Sequence, residues 1–323
     1  MQLPSLEEIR AAQRLVYGYL PPTPQYSWPL LNRRLGTEAW VKHENHTPVG
    51  AFKIRGALIY LDRLVRDRPS LNGAIAATRG NFGQGVAMAA RLFGVRAVIV
   101  APHGNSVEKN RAMVAQGAEL LEHGKDFQDS LEFARTLAAE KGLALVESFH
   151  ELLVLGTAGY ALEFLEGAPA LDAVYVPIGM GSSICGMAAA RNALGVKTEI
   201  VGVVSAEAPA TALSFRERKL VEAPARTLIA DGLACRTPHP EALAAIWANV
   251  SQVVEVSDEE IKDAMRAFYE DTHNLAEGAG AAALAAAVQM KAKIAGRRIG
   301  IVLTGGNVDR QVYAEVLSQV PRR

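Results

Sequence analysis

Four short segments combine residue types that can carry chemistry. In HTPVGAFKIRGAL (His46–Leu58), Lys53 lies between Phe52 and Ile54, early in a helical pattern. Apolar surroundings lower a lysine's pKa and favour the neutral amine, the form that condenses with carbonyl groups. The same pattern also fits a surface helix, with Lys53 and Arg55 solvated beside buried Phe52 and Ile54. The turn Gly179-Met180-Gly181-Ser182-Ser183 lets backbone N–H groups approach an anion, and its serine hydroxyls can donate as well. It reads as a phosphate site or as a plain strand-to-helix turn. ATRGNFGQGVA (Ala77–Ala87) is a strand end, a tight turn at Gly80-Asn81 and a helix, with Asn81 serving the turn or capping the helix. LTGGNVD (Leu303–Asp309) repeats that shape, with Thr304 as a β-branched strand residue and Asn307 as the cap of the following helix.

Several chemistries are disfavoured by what these segments lack. The dinucleotide fingerprint requires a third glycine where this chain has Ile184, and its acidic partner would be Glu199, which opens a strand instead of ending one. An NAD-dependent oxidoreductase therefore stands only as an alternative. There is no GxxxxGK[ST] and no GxSxG around Ser182 or Ser183. His43 and His46 flank Glu44-Asn45 without forming HExxH, and the other histidines are scattered, so no metal site is expected.

The elements that position these residues alternate. Strands are predicted at Ala74–Ala77, Arg96–Val100, near 142–146, at Val174–Ile178, Glu199–Val204 and Ile299–Leu303. Helices are predicted over about Gly83–Phe93, Ser106–Gln116 and Ser183–Ala193, over a buried stretch Ala279–Met290, and from the capping box Ser257-Asp258-Glu259-Glu260 to about Asp271. Apolar strands separated by helices indicate βαβ units and buried parallel sheets. Both glycine turns fall where open α/β sheets bind ligands, at the carboxyl ends of strands.

Composition adds exclusions. The chain has 323 residues, enough for roughly two domains. Its 34 basic and 34 acidic residues cancel, which favours neither nucleic acid nor an anionic membrane. Only two cysteines occur, Cys185 and Cys235, each in small or apolar company, so a reducing, cytoplasmic compartment and packed thiols are expected. MQLPSLEEIR lacks the pattern of a signal peptide, and no apolar run is long enough for a membrane span.

Taken together and in this order, the four segments resemble the β-family (fold-type II) of pyridoxal phosphate (PLP) enzymes, most of all the serine/threonine dehydratase and serine racemase branch. The resemblance covers nearly the whole chain. Gly50-Ala51-Phe52-Lys53-Ile54-Arg55-Gly56-Ala57 matches the family's (S/G)FKxRGA, with Ala51 for the usual serine. Thr78-Arg79-Gly80-Asn81-Phe82 matches its SSGNH turn, Gly179–Ser183 its tetraglycine loop, and Thr304-Gly305-Gly306-Asn307 its SGGN. Ile229–Ala234 is similar to a segment that passes near the cofactor, and Glu277–Ala281 to EPSGA.

The resemblance implies an α/β fold like that of the tryptophan synthase β subunit: two domains, each a mostly parallel sheet flanked by helices. A small domain, 72–147, would be inserted in a large one, 1–71 plus 148–323. It implies a PLP Schiff base on Lys53 with Phe52 beside it, Asn81 bonded to the cofactor's phenolic oxygen, Gly179, Met180, Gly181, Ser182 and Ser183 around its phosphate, and Thr304 at its pyridine nitrogen. Thr78, Arg79, Gly80, Asn81 and Phe82 would hold the substrate. The implied activity is dehydratase/ammonia-lyase action on an L-β-hydroxy amino acid (threonine, serine or a β-aryl serine such as phenylserine), in a homodimer. The alternatives within the fold are a racemase, a β-replacement enzyme or a catalytically silent ligand-binding relative. Three departures bear on these implications. Arg79 stands where a racemase has serine, and a guanidinium cannot act as an acid or base at neutral pH. Phe82 replaces the common histidine. Ser205 stands where a glutamate would bind a divalent cation, with Glu207 out of register. No regulatory domain follows Arg323, so amino-acid feedback is not expected.

Overall fold

The computed structural model describes residues 1–319. Ten strands form two sheets: β1 (Gln25–Ser27), β2 (Glu38–His43), β3 (Ala74–Ala77), β4 (Ala97–Ala101), β5 (Glu119–Glu122), β6 (Ala144–Leu145), β7 (Ala173–Pro177), β8 (Glu199–Ser205), β9 (Gln252–Val256) and β10 (Arg298–Leu303). One sheet has the order β1-β2-β10-β7-β8-β9 and is parallel except for its edge strand β1; the other, β5-β4-β3-β6, is wholly parallel. Every residue of β3, β4 and β7 is buried, as expected of strands covered on both faces.

The predicted helices form, with ends moved by a residue or two. They run Asn81–Leu92, Val107–Ala115, Ser182–Leu194 and Asp258–Thr272, the last with both hydrogen bonds of its capping box in place. The alanine-rich helix Gly278–Gln289 lies against the central strands of the larger sheet, and its side chains from Gly278 to Ala287 are all buried. Small residues permit that approach, since a Cβ at Gly280 would collide with the Gly305 carbonyl. The strand expected over 142–146 shrinks to Ala144–Leu145, an edge strand paired with β3 alone.

Arg55 is the clearest departure from the surface-helix reading of its segment. It is fully buried in the helix Lys53–Asp67. Its guanidinium donates to Glu44 at 2.7 Å and to Glu163 at 2.6 Å, and Lys42 donates to Glu163 at 2.6 Å and to the Thr23 carbonyl at 2.8 Å. Two cations and two carboxylates thus form a neutral buried quartet. Burial alone would lower the pKa of Arg55, but the two carboxylates more than offset it and hold the group charged. This quartet and the close crossing of helix Glu151–Gly167, where Gly156 faces the Arg55 carbonyl, fix the helix that begins at Lys53.

Candidate active site

Lys53 opens its helix at the floor of a cleft between the two sheets. The preceding residues are stapled to the end of β10: Phe52 N–H donates to the Thr304 carbonyl at 3.1 Å, and Gly306 N–H to the Gly50 carbonyl at 2.9 Å. The cleft holds about 970 Å³ of open space, mouth included, and is walled by the carboxyl ends of β3, β7 and β10. That placement suits a small-molecule ligand.

The structure brings every sequence-predicted site residue to this cleft: Phe52, Lys53, Thr78, Arg79, Gly80, Asn81, Phe82, Gly179, Met180, Gly181, Ser182, Ser183 and Thr304 all line it. Lys53 is half-buried because its amine opens into the cleft, 4.8 Å from the centroid of the Phe52 ring. Its ammonium loses hydration there with no bonded carboxylate, which lowers its pKa to about 8, the charge of Glu277 opposing.

The turn after β7 is built for an anion. Gly181 has φ 106°, and a Cβ on it would stand 2.8 Å from that of Ala242; at Gly179 a Cβ would strike the Gly232 carbonyl. Both places therefore need glycine. Among the described residues the amides of 179–183 donate to no protein acceptor, and they precede or open a 13-residue helix. Ser183 Oγ is 2.6 Å from the buried Tyr160 hydroxyl, while Ser182 Oγ has no protein partner.

The turn after β3 is held by Thr78, whose hydroxyl accepts from the Gly80 amide at 2.9 Å and the Gly83 amide at 3.2 Å. Gly80, with φ 153° and ψ −83°, caps the helix, so Asn81 is its first residue and not its cap. The amides of Asn81 and Phe82 have no protein acceptor. The Asn81 side chain donates to Glu277 Oε1 at 2.5 Å and accepts from Asn307 at 2.9 Å. Asn307 therefore serves the floor of the site, and Asp309 is the residue that precedes the last helix. Thr304 is buried, and its hydroxyl has no protein partner.

Three charged wall residues escaped sequence reasoning. Lys109, from the helix Val107–Ala115, donates to Asp231 at 2.6 Å and lies 3.3 Å from Glu277. Burial opposes the charge of Lys109, but Glu277 and Asp231 more than offset it and hold its pKa above the ordinary lysine value. Asp231 takes the shorter contact. Glu277, fully enclosed and beside that like charge, is left under-compensated and has a raised pKa. The segments holding Asp231 and Glu277 were visible by resemblance; Lys109 gave no signal, because its partners are remote in sequence. Cys235 lines the cleft and Cys185 packs behind it. Burial raises the thiols to about 11 and about 12, so both are inert packing groups. Ser205 is buried, accepts from the Glu207 amide and lies 3.5 Å from Asp258; no group of three metal-ligating side chains occurs among the described residues. Nor is any described helix long and apolar enough to cross a membrane.

These features fit PLP. A carbonyl-reactive amine, a ring of unpaired amides for a phosphate, and an unpaired hydroxyl for a ring nitrogen share one cleft. Comparison with known proteins agrees. The family model described as pyridoxal-phosphate dependent enzyme matches residues 16–305. The chain is 33% identical over 319 residues to the L-threo-3-hydroxyaspartate ammonia-lyase of Saccharomyces cerevisiae, covering 98% of each chain. It is 31% identical to the L-threonine ammonia-lyase of Thermotoga maritima, covering 98% of this chain and 78% of that one. The structure of maize serine racemase superposes with a TM-score of 0.90 at 29% identity, over 97% of both chains. The chain belongs to the pyridoxal-phosphate-dependent enzymes of fold-type II and is a PLP-dependent lyase.

Proposed function

We propose that the chain is an ammonia-lyase that converts an L-β-hydroxy amino acid to a 2-oxo acid and ammonia. The observation that carries this reading is Lys53, an amine with its pKa lowered to about 8 in a cleft that also presents unpaired amides and the unpaired Thr304 hydroxyl. PLP bound there supplies an electron sink that makes the substrate's Cα–H acidic. Lys53 holds the cofactor, and its neutral amine is the base for the Cα proton. Residues 179–183 would hold the phosphate, the Thr304 hydroxyl would serve the pyridine nitrogen, and the Asn81 amide would serve the phenolic oxygen. The amides of Asn81 and Phe82 receive the substrate's α-carboxylate. A neutral hydroxyl such as that of Thr304, in place of a carboxylate, would favour an unprotonated ring nitrogen and a moderate electron sink, which suits loss of a β-hydroxyl.

The substrate class comprises serine, threonine, β-aryl serines and 3-hydroxyaspartate; threonine and 3-hydroxyaspartate are the compounds named for two of the relatives. We also propose that 72–147 is a small domain inserted in a larger one, a division supported by the four-stranded sheet drawing all its strands from Ala74–Leu145.

The test is 2-oxo acid and ammonia release by PLP-loaded protein from each amino acid. Turnover of at least one, abolished in Lys53→Ala, is expected. PLP binding with no oxo acid from any of them would overturn the lyase assignment for these substrates.

A further inference from the structure

Arg79 is a charge in the cleft that the fold does not use. It follows Thr78 at the end of β3, is half-buried, and lines both the cleft around Lys53 and the wider mouth beside it. Apart from Lys53, the other cations on these walls have protein anions. Lys109 has Asp231 and Glu277, Arg135 lies 3.8 Å from Glu147, and Arg236 lies 3.3 Å from Asp126. Among the described residues Arg79 has no hydrogen bond, ion pair or ring contact.

The anionic groups assigned so far are already provided for. The amides of 179–183 suit a phosphate, and those of Asn81 and Phe82 an α-carboxylate. Arg79 is thus a third anion-binding group, with a planar fork matched to a carboxylate and a charge that persists at every working pH. A substrate with a neutral β-substituent leaves it unpaired.

We propose that Arg79 binds a second carboxylate of the substrate, so that the preferred substrate is a β-hydroxy amino acid carrying a carboxylate on its β-carbon, of the 3-hydroxyaspartate type. This rests on the lyase reading above. The Cα–H and Cβ–O bonds break, water leaves, and hydrolysis returns one water and releases ammonia, giving a four-carbon 2-oxo dicarboxylate. Arg79 takes no proton in this sequence; it is a specificity residue.

The test uses PLP-loaded enzyme with L-threo-3-hydroxyaspartate, L-serine, L-threonine and L-threo-phenylserine, together with calorimetric titration of succinate and propionate. The expected results are highest kcat/KM for hydroxyaspartate and binding of succinate in preference to propionate. In Arg79→Gln, kcat/KM for hydroxyaspartate falls relative to that for serine by about 10–100-fold, mainly through KM, the range of one or two charge-assisted hydrogen bonds. Succinate binding is lost with it, and Arg79→Lys restores part of both. An equal loss for serine and hydroxyaspartate overturns the proposal, since it places Arg79 at the α-carboxylate or in the fold. Preference for phenylserine overturns it as well, by making the guanidinium a stacking surface. No oxo acid from any of the four sinks the lyase reading instead. Succinate then decides alone: binding that depends on Arg79 supports the anion site, and no binding overturns it.

Discussion

Lys53 and Arg79 show how environment divides labour between two cations in one cleft. Lys53 is kept partly neutral by lost hydration, whereas Arg79 brings a planar guanidinium whose donors match a carboxylate. Raising the pH through about 8 deprotonates Lys53, so capture of PLP by the apoprotein should accelerate about tenfold per pH unit below that value and level off above it. Stopped-flow absorbance measures this, and a rate still climbing at pH 10 would refute the depressed pKa. Arg79 stands where the resembled racemases carry serine, and a guanidinium does not serve as an acid or base, so chiral analysis of serine incubated with the enzyme should find no D-serine beyond a control without protein. Lys53 was legible through the resemblance of its segment to (S/G)FKxRGA, since its apolar neighbours Phe52 and Ile54 alone fitted a surface helix equally. Lys109 was not, since what makes it a wall residue is carboxylates brought near only by folding.

At the scale of elements, legibility followed burial pattern. β3, β4, β7 and the apolar run Ile299–Leu303 of β10 were read directly, and the helix at Ser257 was marked by its capping box. β2 was missed because EAWVKH carries Lys42 and His43, which are buried here through tertiary partners: Glu163 for one, the Trp28 indole at 3.0 Å for the other. β5, ELLE, is a part-exposed edge strand with no apolar run to reveal it. The helix at Lys53 rests on the buried quartet and on the Gly156 crossing. Arg55→Met strands Glu44 in the interior, leaving Lys42 as the partner of Glu163, and should cost about 3–5 kcal/mol in urea unfolding. Gly156→Leu should also destabilise, because its Cβ meets the Arg55 backbone, where nothing flexible can give way.

For the whole molecule, the sequence implied alternating strands and helices and a ligand at strand ends, while strand order depended on pairings it does not encode locally. β10, last in the chain, lies between β2 and β7, and so brings Thr304 beside Phe52 and Lys53. The two sheets are tied across the cleft by Lys109 to Asp231 and Glu277 and by Ser106 to Asp309. Lys109→Met removes the cation and leaves two acidic groups facing each other. Amide hydrogen exchange over 106–115 and 229–234 should then quicken, with PLP affinity reduced; unchanged exchange would show that Lys109 does not tie the sheets together.

The quartet of Lys42, Glu44, Arg55 and Glu163 has a consequence for how this chain can change over generations. Loss of any one charge leaves an uncompensated ion in the interior, whereas apolar replacement of all four at once is the sort of exchange that proteins tolerate. The intermediate sequences are the unstable ones. Drift should therefore stall at these positions, and a lineage that abandoned the reaction would keep the four charges long after it lost Lys53.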